Sequence, residues 1–442
     1  MDASDAGVII IVDALSTGSF FVPRLHSLGF RLFHLFSSAD LIPLLKEHFE
    51  DIRHEYCSQF EEWIEYDGDL EKLHEYLRQN KPVAVISGSV SGTRLTETIA
   101  GVLGLPGNRN DLVWVRNNKA GMLQFLTAAG IRTKRHRVVS SLDELIAWAG
   151  NHDRWPVMVS RVDPGSENRS RVCFGITGIR TAWREMSGRR RFSGADTNFL
   201  VEECAAGTGY MVNTVSYAGK HYLSDFWELR KVMAPRTAPL YDYLRLCAYP
   251  SQGLQNEVLT YAFEILKSLG MQNGPAHCEI LLEDNKPRIH EFHPMVMPMA
   301  PSPGLITDCI GHNQIDWLIE SLLDPEAFLR ETSHPYHITQ YLLEKFLISQ
   351  KSGKIRDIPL IDLLPDLKSA CSVDFFRAIE TLELKETTDL DSSPGTVFLR
   401  NTDEEELMED YRMISAMESE QNTLYEMEDG PATVKPGKAG TI

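Results

Sequence analysis

Four side chains in two short stretches are of the types, and at the spacing, that do chemistry together. His277 and Glu279 lie in an apolar run over residues 276–282, and Glu291 and His293 close a second run that begins at residue 289. The polar sequence Glu283-Asp284-Asn285-Lys286 separates the two runs, which predicts a β-hairpin. Side chains two apart on a strand share a face, so each His/Glu pair points one way. If the two faces coincide, two carboxylates and two imidazoles converge on one point. Such a cluster either binds a metal or holds a costly set of like charges. One isolated His–Glu pair on a strand is ordinary structure; two pairs across a hairpin put the metal reading on an equal footing with it.

The surrounding chain supplies the frame. Residues 8–12, 31–36 and 83–86 are strand-like, and 19–28, 70–79 and 95–103 helix-like. Such alternation implies a parallel sheet covered by helices, with ligands at the carboxyl ends of its strands. That puts residues 13–18 and 87–89 at a ligand edge, although small residues there are also normal turn chemistry. Residues 119–129 form a helix with Met122, Leu123, Leu126 and Ala129 on one side, ended by Gly130. Residues 156–159 and 172–174 flank a loop of Gly, Ser, Asn and Arg, which predicts a hairpin with a mobile tip. Further strands follow at 199–203, 210–216 and 220–229. An amphipathic helix over 258–269 leads into the His/Glu hairpin, and 315–323 is another helix. From about residue 335 short strands and turns take over, with an acidic helix near 404–419. The tail, 429–442, has no apolar face and reads as disordered.

Composition narrows the partners. The 442 residues carry 44 Lys and Arg against 62 Asp and Glu, a net charge of −18. That field repels nucleic acid and anionic membranes but leaves a metal-bound nucleotide possible, because local basic residues decide its binding. Seven cysteines without a C-x-x-C spacing suit reduced thiols in a cytoplasmic protein. No run approaches the roughly 20 apolar residues of a membrane span.

The ordered segments resemble the ATP-grasp superfamily, and within it the amino-acid ligases that make dipeptides. The resemblance runs from about residue 8 to 425. Gly104-Leu105-Pro106-Gly107-Asn108, then Asn118-Lys119-Ala120-Gly121-Met122 and Ala128-Ala129-Gly130-Ile131, look like the entry to the ATP-grasp lobes. Val201-Glu202-Glu203 with Gly207-Thr208 resembles the hinge strand that holds adenine. Trp227-Glu228-Leu229-Arg230-Lys231 is similar to a segment whose lysine contacts phosphate, and Gly274 to Glu279 with Pro287 to Glu291 to the two metal-bearing strands. Thr388-Asp389-Leu390 through Pro394-Gly395 is similar to part of the C-terminal domain of some of these ligases. The resemblance implies an α/β chain with a Rossmann-like parallel-sheet domain over residues 1–110. Two ATP-grasp lobes would follow over 111–198 and 199–330, then a C-terminal domain over 331–428 and the tail.

It also implies roles. Lys119 and Lys231 would contact phosphate, and the position of Ser160 lies beside the nucleotide. Glu202, with the backbone of Glu203 and Cys204, would line the adenine pocket. Glu279, Glu291 and His293 would hold the metal, Mg²⁺ or, given the imidazole, Mn²⁺. The chemistry fits those residue types. A carboxylate is a poor acyl donor until ATP phosphorylates it, after which an amine can displace phosphate and form an amide. A protein doing this positions reactants and neutralises charge. The expected partners are small molecules, an amino acid and an amine, and homodimers are common among such enzymes.

Four positions depart from the family pattern. Ser160 stands where a lysine is usual, Gly209 where a ribose-binding glutamate is common, His293 for a metal-binding asparagine and Met295 for an arginine. Arg161 or Arg230 could replace the arginine, and Arg169 with Arg171 could replace the charge missing at Ser160, on a loop that closes over the triphosphate. Arg189-Arg190-Arg191 could bind phosphate, though such a run is more often solvated. Met295, Met297 and Met299 could wall a substrate pocket or fill core. These departures leave open a re-tuned ligase and a non-catalytic nucleotide-binding homologue. A metal-dependent hydrolase using His277, Glu279, Glu291 and His293 is a further alternative, one that gives Lys119 and Lys231 no role.

Overall fold

The structure, a computed structural model, describes residues 7–38, 46–151, 155–162, 170–187, 198–204, 207–232, 239–376, 383–390, 392–419 and 423–428. The proposed loop over 165–169, Arg189 to Arg191 and the tail therefore lie outside the described residues. The chain divides into two compact units, Met1–Glu228 with Leu246–Thr339, and Leu229–Arg245 with Gln340–Ile442.

The first unit begins with a four-stranded parallel sheet, in the order Phe60–Glu65, Arg31–Phe36, Val8–Val12, Pro82–Ser87. Val8–Val12 reads Val-Ile-Ile-Ile-Val because it is central and buried on both faces. Ile9 and Ile11 pack with Phe21, Val22 and Leu25 on one side. Val8, Ile10 and Val12 pack with Leu73, Leu77, Leu95 and Ile99 on the other. At the carboxyl edge, the loops after Val8–Val12 and Pro82–Ser87 touch backbone to backbone. A Cβ on Gly18 would come within 2.1 Å of the Gly88 carbonyl oxygen, so only glycine permits that approach. The strand Phe60–Glu65 and the helix Lys46–Tyr56 before it were not foreseen. The strand is at the sheet edge and carries Glu61, Glu62 and Glu65, so it lacks the apolar run of its neighbours.

A second sheet is antiparallel, in the order His136–Val139, Phe199–Glu203, Val157–Arg161, Ser170–Cys173. Val157, Val159, Phe199 and Val201 pack under the helices Leu142–Gly150 and Ile176–Ser187. Strand alternation sends Glu202 to the opposite face, directly between His136 and Met158.

The hairpin Gly274–Glu283 and Lys286–His293 is present as expected. Asp284 and Asn285, at φ of 49° and 57°, form its two-residue turn with both positive φ values that such hairpins favour. Gly274–Glu283 pairs on its other edge with Thr208–Tyr217. The helix Gly253–Ser268 packs against the hairpin, and its Tyr261 hydroxyl accepts the Ile289 N–H at 2.9 Å while donating to the Arg132 carbonyl.

In the second unit, Tyr341–Phe346, Gly395–Asn401 and Ala370–Phe375 lie side by side under the helix Glu404–Ser419. Leu343, Val397, Leu399, Leu407 and Ile414 form their core. Lys345 is fully buried there and donates to Asp242 at 2.9 Å and Glu418 at 2.6 Å. No helix among the described residues is long and apolar enough to cross a membrane.

Candidate active site

The hairpin register decides whether the two His/Glu faces coincide. His277 lies across from His293, and Glu279 from Glu291. The faces do coincide. The two imidazole rings stack 6.2 Å apart at an interplanar angle of 8°. Nε2 of His293 is 3.4 Å from Glu291, and Nε2 of His277 is 3.8 Å from Glu279. The pairing then slips by one residue, because Ile280 faces Ile289 and leaves His290 as an extra residue. A bulge of this kind bends the strand and re-aims its side chains. Here His290 reaches Lys134 and Glu291 reaches Lys119, two lysines that both meet Glu202 of the second sheet.

Lys119 is what Glu291 meets. It is the first residue of the helix Lys119–Ala128, whose start is fixed by the Asn118 side chain accepting the Gly121 N–H at 2.8 Å. Its ammonium donates to Glu202 at 2.9 Å and Glu291 at 3.0 Å. One lysine thus bridges a carboxylate of the second sheet to one of the hairpin. A second lysine, Lys134, comes within 3.4 Å of the same Glu202 oxygen and within 2.6 Å of His290 Nδ1. The other Glu202 oxygen, Oε2, is buried without a hydrogen-bond partner among the described residues.

The charges explain one another. Burial opposes ionisation of Glu202 and Glu291, but Lys119, with Lys134 for the first and His293 for the second, holds both below the usual carboxylate range. Burial likewise opposes the Lys119 ammonium, and the two carboxylates override it and raise its pKa. At Lys134 burial wins over Glu202, and the pKa falls. Lys134 and His290 were missed in the sequence. Lys134 sits in the run Arg132-Thr133-Lys134-Arg135-His136-Arg137, which reads as solvated charge. Only the pairing of His136 with Glu202 reveals that a residue two before it reaches the same face.

The other expected residues are placed as follows. Glu203 Oε1 accepts from Arg288 at 3.0 Å and from the Arg135 N–H at 3.1 Å. The Cys204 N–H donates to the Pro156 carbonyl at 3.3 Å, and burial pushes the Cys204 thiol up to about 11. Ser160 shares the Glu202 face, two residues along from Met158. Arg161 points the other way, into the helix-covered side, where it donates to the Met186 carbonyl at 2.9 Å, so it does not replace the missing arginine. Arg171 is exposed and lies 3.4 Å from Glu185. Met295 is 1% exposed in the core with Ile9, Val296 and Ile315, which makes it core filling rather than a pocket wall. Lys231 belongs to the second unit, where its ammonium lies 4.4 Å from the centre of the Tyr241 ring. Its phosphate role rests on the resemblance of its segment. Arg230, in the same unit, pairs with Asp242 at 3.6 Å.

Among the described residues no three His, Cys, Asp or Glu side chains are gathered as a metal-holding group. The donor chemistry nevertheless fits a hard divalent cation, since Glu279 and Glu291 face each other and their side chains are 16% and 34% exposed.

No family model matches the chain. Dapdiamide A synthase of Enterobacter agglomerans is 26% identical over 395 residues, which span 88% of this chain and 91% of that protein. The crystal structure of an L-amino acid ligase from Bacillus licheniformis superposes with a TM-score of 0.70 at 16% identity, covering 96% of this chain and 99% of that one. N5-carboxyaminoimidazole synthase of Aspergillus clavatus, solved with ADP and 5-aminoimidazole ribonucleotide, gives 0.64 at 12% identity, covering 94% and 99%. The chain is similar to ATP-grasp ligases over nearly its whole length. As the motif resemblance implied, the chain is α/β, with a parallel sheet first and antiparallel sheet structure after it.

Proposed function

We propose that the chain uses ATP to join an amino acid carboxylate to an amine, through an acylphosphate, releasing ADP and phosphate. The observation that carries this reading is the Lys119 bridge. It brings a phosphate-seeking cation, a hinge-strand carboxylate and a hairpin carboxylate to one junction within the first unit. The dapdiamide synthase and L-amino acid ligase relatives support the substrate class.

In this reading Lys119 turns from Glu291 to the triphosphate, and the freed carboxylate faces Glu279. Those two, with His293 at their edge, would hold Mg²⁺ or Mn²⁺, which supplies charge neutralisation on the phosphates. Lys119 would steady the same charge at the α- and β-phosphates. Attack by a carboxylate oxygen forms the mixed anhydride and releases ADP. The amine then adds to the activated carbonyl, loses a proton and expels phosphate. On the adenine side this reading puts Glu202 and the backbone of Glu203, at the end of the strand Phe199–Glu203, and of Cys204 just after it.

The test follows one atom. With an amino acid labelled by ¹⁸O in its carboxylate, one label should appear in the released phosphate. Phosphate without label, alongside amide product, would exclude the acylphosphate route.

A further inference from the structure

Two ammonium groups share one oxygen of Glu202, and they differ in what they can do next. The Lys119 side chain is 23% exposed and its second partner, Glu291, 34%, so this lysine can reach a ligand. Lys134 is 1% exposed and Glu202 not at all. Lys134 is also tied down by its own segment. The Arg132 carbonyl takes a hydrogen bond from Tyr261, which accepts from Ile289 on the hairpin. Arg135 exchanges bonds with Glu203 in both directions, at 3.0 and 3.1 Å. Lys134 is therefore held between the strand of Glu202 and the strand of His290. An ammonium only donates, so His290 must present the lone pair of Nδ1 to it.

From these contacts we infer that Lys134 is a positioning residue, the resident counter-ion of Glu202, whose presence lets Lys119 leave that carboxylate for the nucleotide. This rests on the ATP reading above. A buried carboxylate stripped of its partner is strongly unfavourable. If Lys119 were the sole partner of Glu202, each nucleotide would have to meet that penalty on binding. With Lys134 in place, Glu202 stays paired while Lys119 transfers to phosphate. His290, delivered by the bulge, keeps Lys134 in position in both states.

The experiment is a double-mutant cycle on nucleotide affinity in the full chain, read as the Kd for Mg-ATP by calorimetry, with melting curves alongside. Lys134→Met should weaken Mg-ATP at least about tenfold. In the Glu202→Gln background, which has no charge to compensate, the same Lys134→Met change should alter Kd by less than about threefold. Lys134→Arg should bind like the wild type. A lysine with a merely structural role would lower the melting temperature of Lys134→Met and leave its Kd unchanged. A lysine contacting phosphate would lose affinity equally in both backgrounds. Either result overturns the inference. If Lys134→Met does not fold, the comparison of Glu202→Gln with the double variant decides, and unequal affinities would refute it. A wild-type chain that binds no Mg-ATP removes the ATP reading itself, a failure distinct from a Lys134 variant that binds as well as wild type.

Discussion

Replacing Lys119 with methionine isolates the charge balance at the site. The substitution keeps the length of the side chain and removes an ammonium 2.9 Å from Glu202 and 3.0 Å from Glu291. Two unit charges about 4 Å apart attract by about 4 kcal/mol at an effective dielectric of 20, so the gross attraction lost is large. Desolvation offsets most of it, and breaking a buried pair by removing one partner typically costs about 3–5 kcal/mol. Glu202 keeps Lys134, and Glu291 is exposed enough to regain water, so a loss near the lower end, about 3 kcal/mol, is expected. The loss has a pH signature. Both carboxylates have folded pKa values below the ordinary glutamate value of 4.5, so their stabilisation is present above that value and disappears as pH falls through the folded values. The gap between wild type and Lys119→Met should therefore be full at pH 7 and close progressively on acidification below about 4.5. Urea unfolding followed by tryptophan fluorescence across that range measures it. Equal stabilities at pH 7, or a gap that persists unchanged in acid, would refute the reasoning.

Two structural predictions lie away from the site. Glu344 is buried, and burial together with Asp374 pushes its pKa up to about 8. The folded chain then holds a proton that the unfolded chain releases near 4.5, so stability should fall as pH rises from there to about 8. Glu344→Gln should flatten that slope in melting curves and stabilise the protein at pH 8–9; an unchanged slope would show that Glu344 is ionised when folded. Arg116 is fully buried, donating to Glu97 at 2.7 Å and to the Leu269 and Arg109 carbonyls, each at 2.8 Å. Arg116→Met should lose about 3–5 kcal/mol in urea unfolding, and Arg116→Lys, with one donor centre for three acceptors, should recover only part of it.

What the sequence disclosed depended on how local the physics was. The hairpin was legible because alternation and a two-residue turn are local, but the turn alone would set Glu279 opposite His290; the bulge is what brings Glu279 opposite Glu291 and His277 opposite His293. Lys119 was legible through the resemblance of Asn118-Lys119-Ala120-Gly121-Met122 to the entry of the ATP-grasp lobes. Lys134 and His290 were not, because a basic run reads as solvated until its strand partner is known, and the bulge shows only as Ile289 and Phe292, three apart, sharing a face. The edge strand Phe60–Glu65 escaped for the opposite reason, its carboxylates hiding a strand whose burial is one-sided. Nor could the pattern show that the strand Lys220–Val232 changes unit after Glu228, which takes Lys231 into the second unit. That boundary depends on which distant segments the strand packs with.

The most direct measurement is ADP and phosphate release from Mg-ATP, then Mn-ATP, against pools of amino acids and amines, with Glu291→Ala as control. Release that requires an amino acid and is lost in Glu291→Ala is the expected result. ATP that binds but is never turned over in any pool would contradict the ligase function and leave a nucleotide-binding protein in its place.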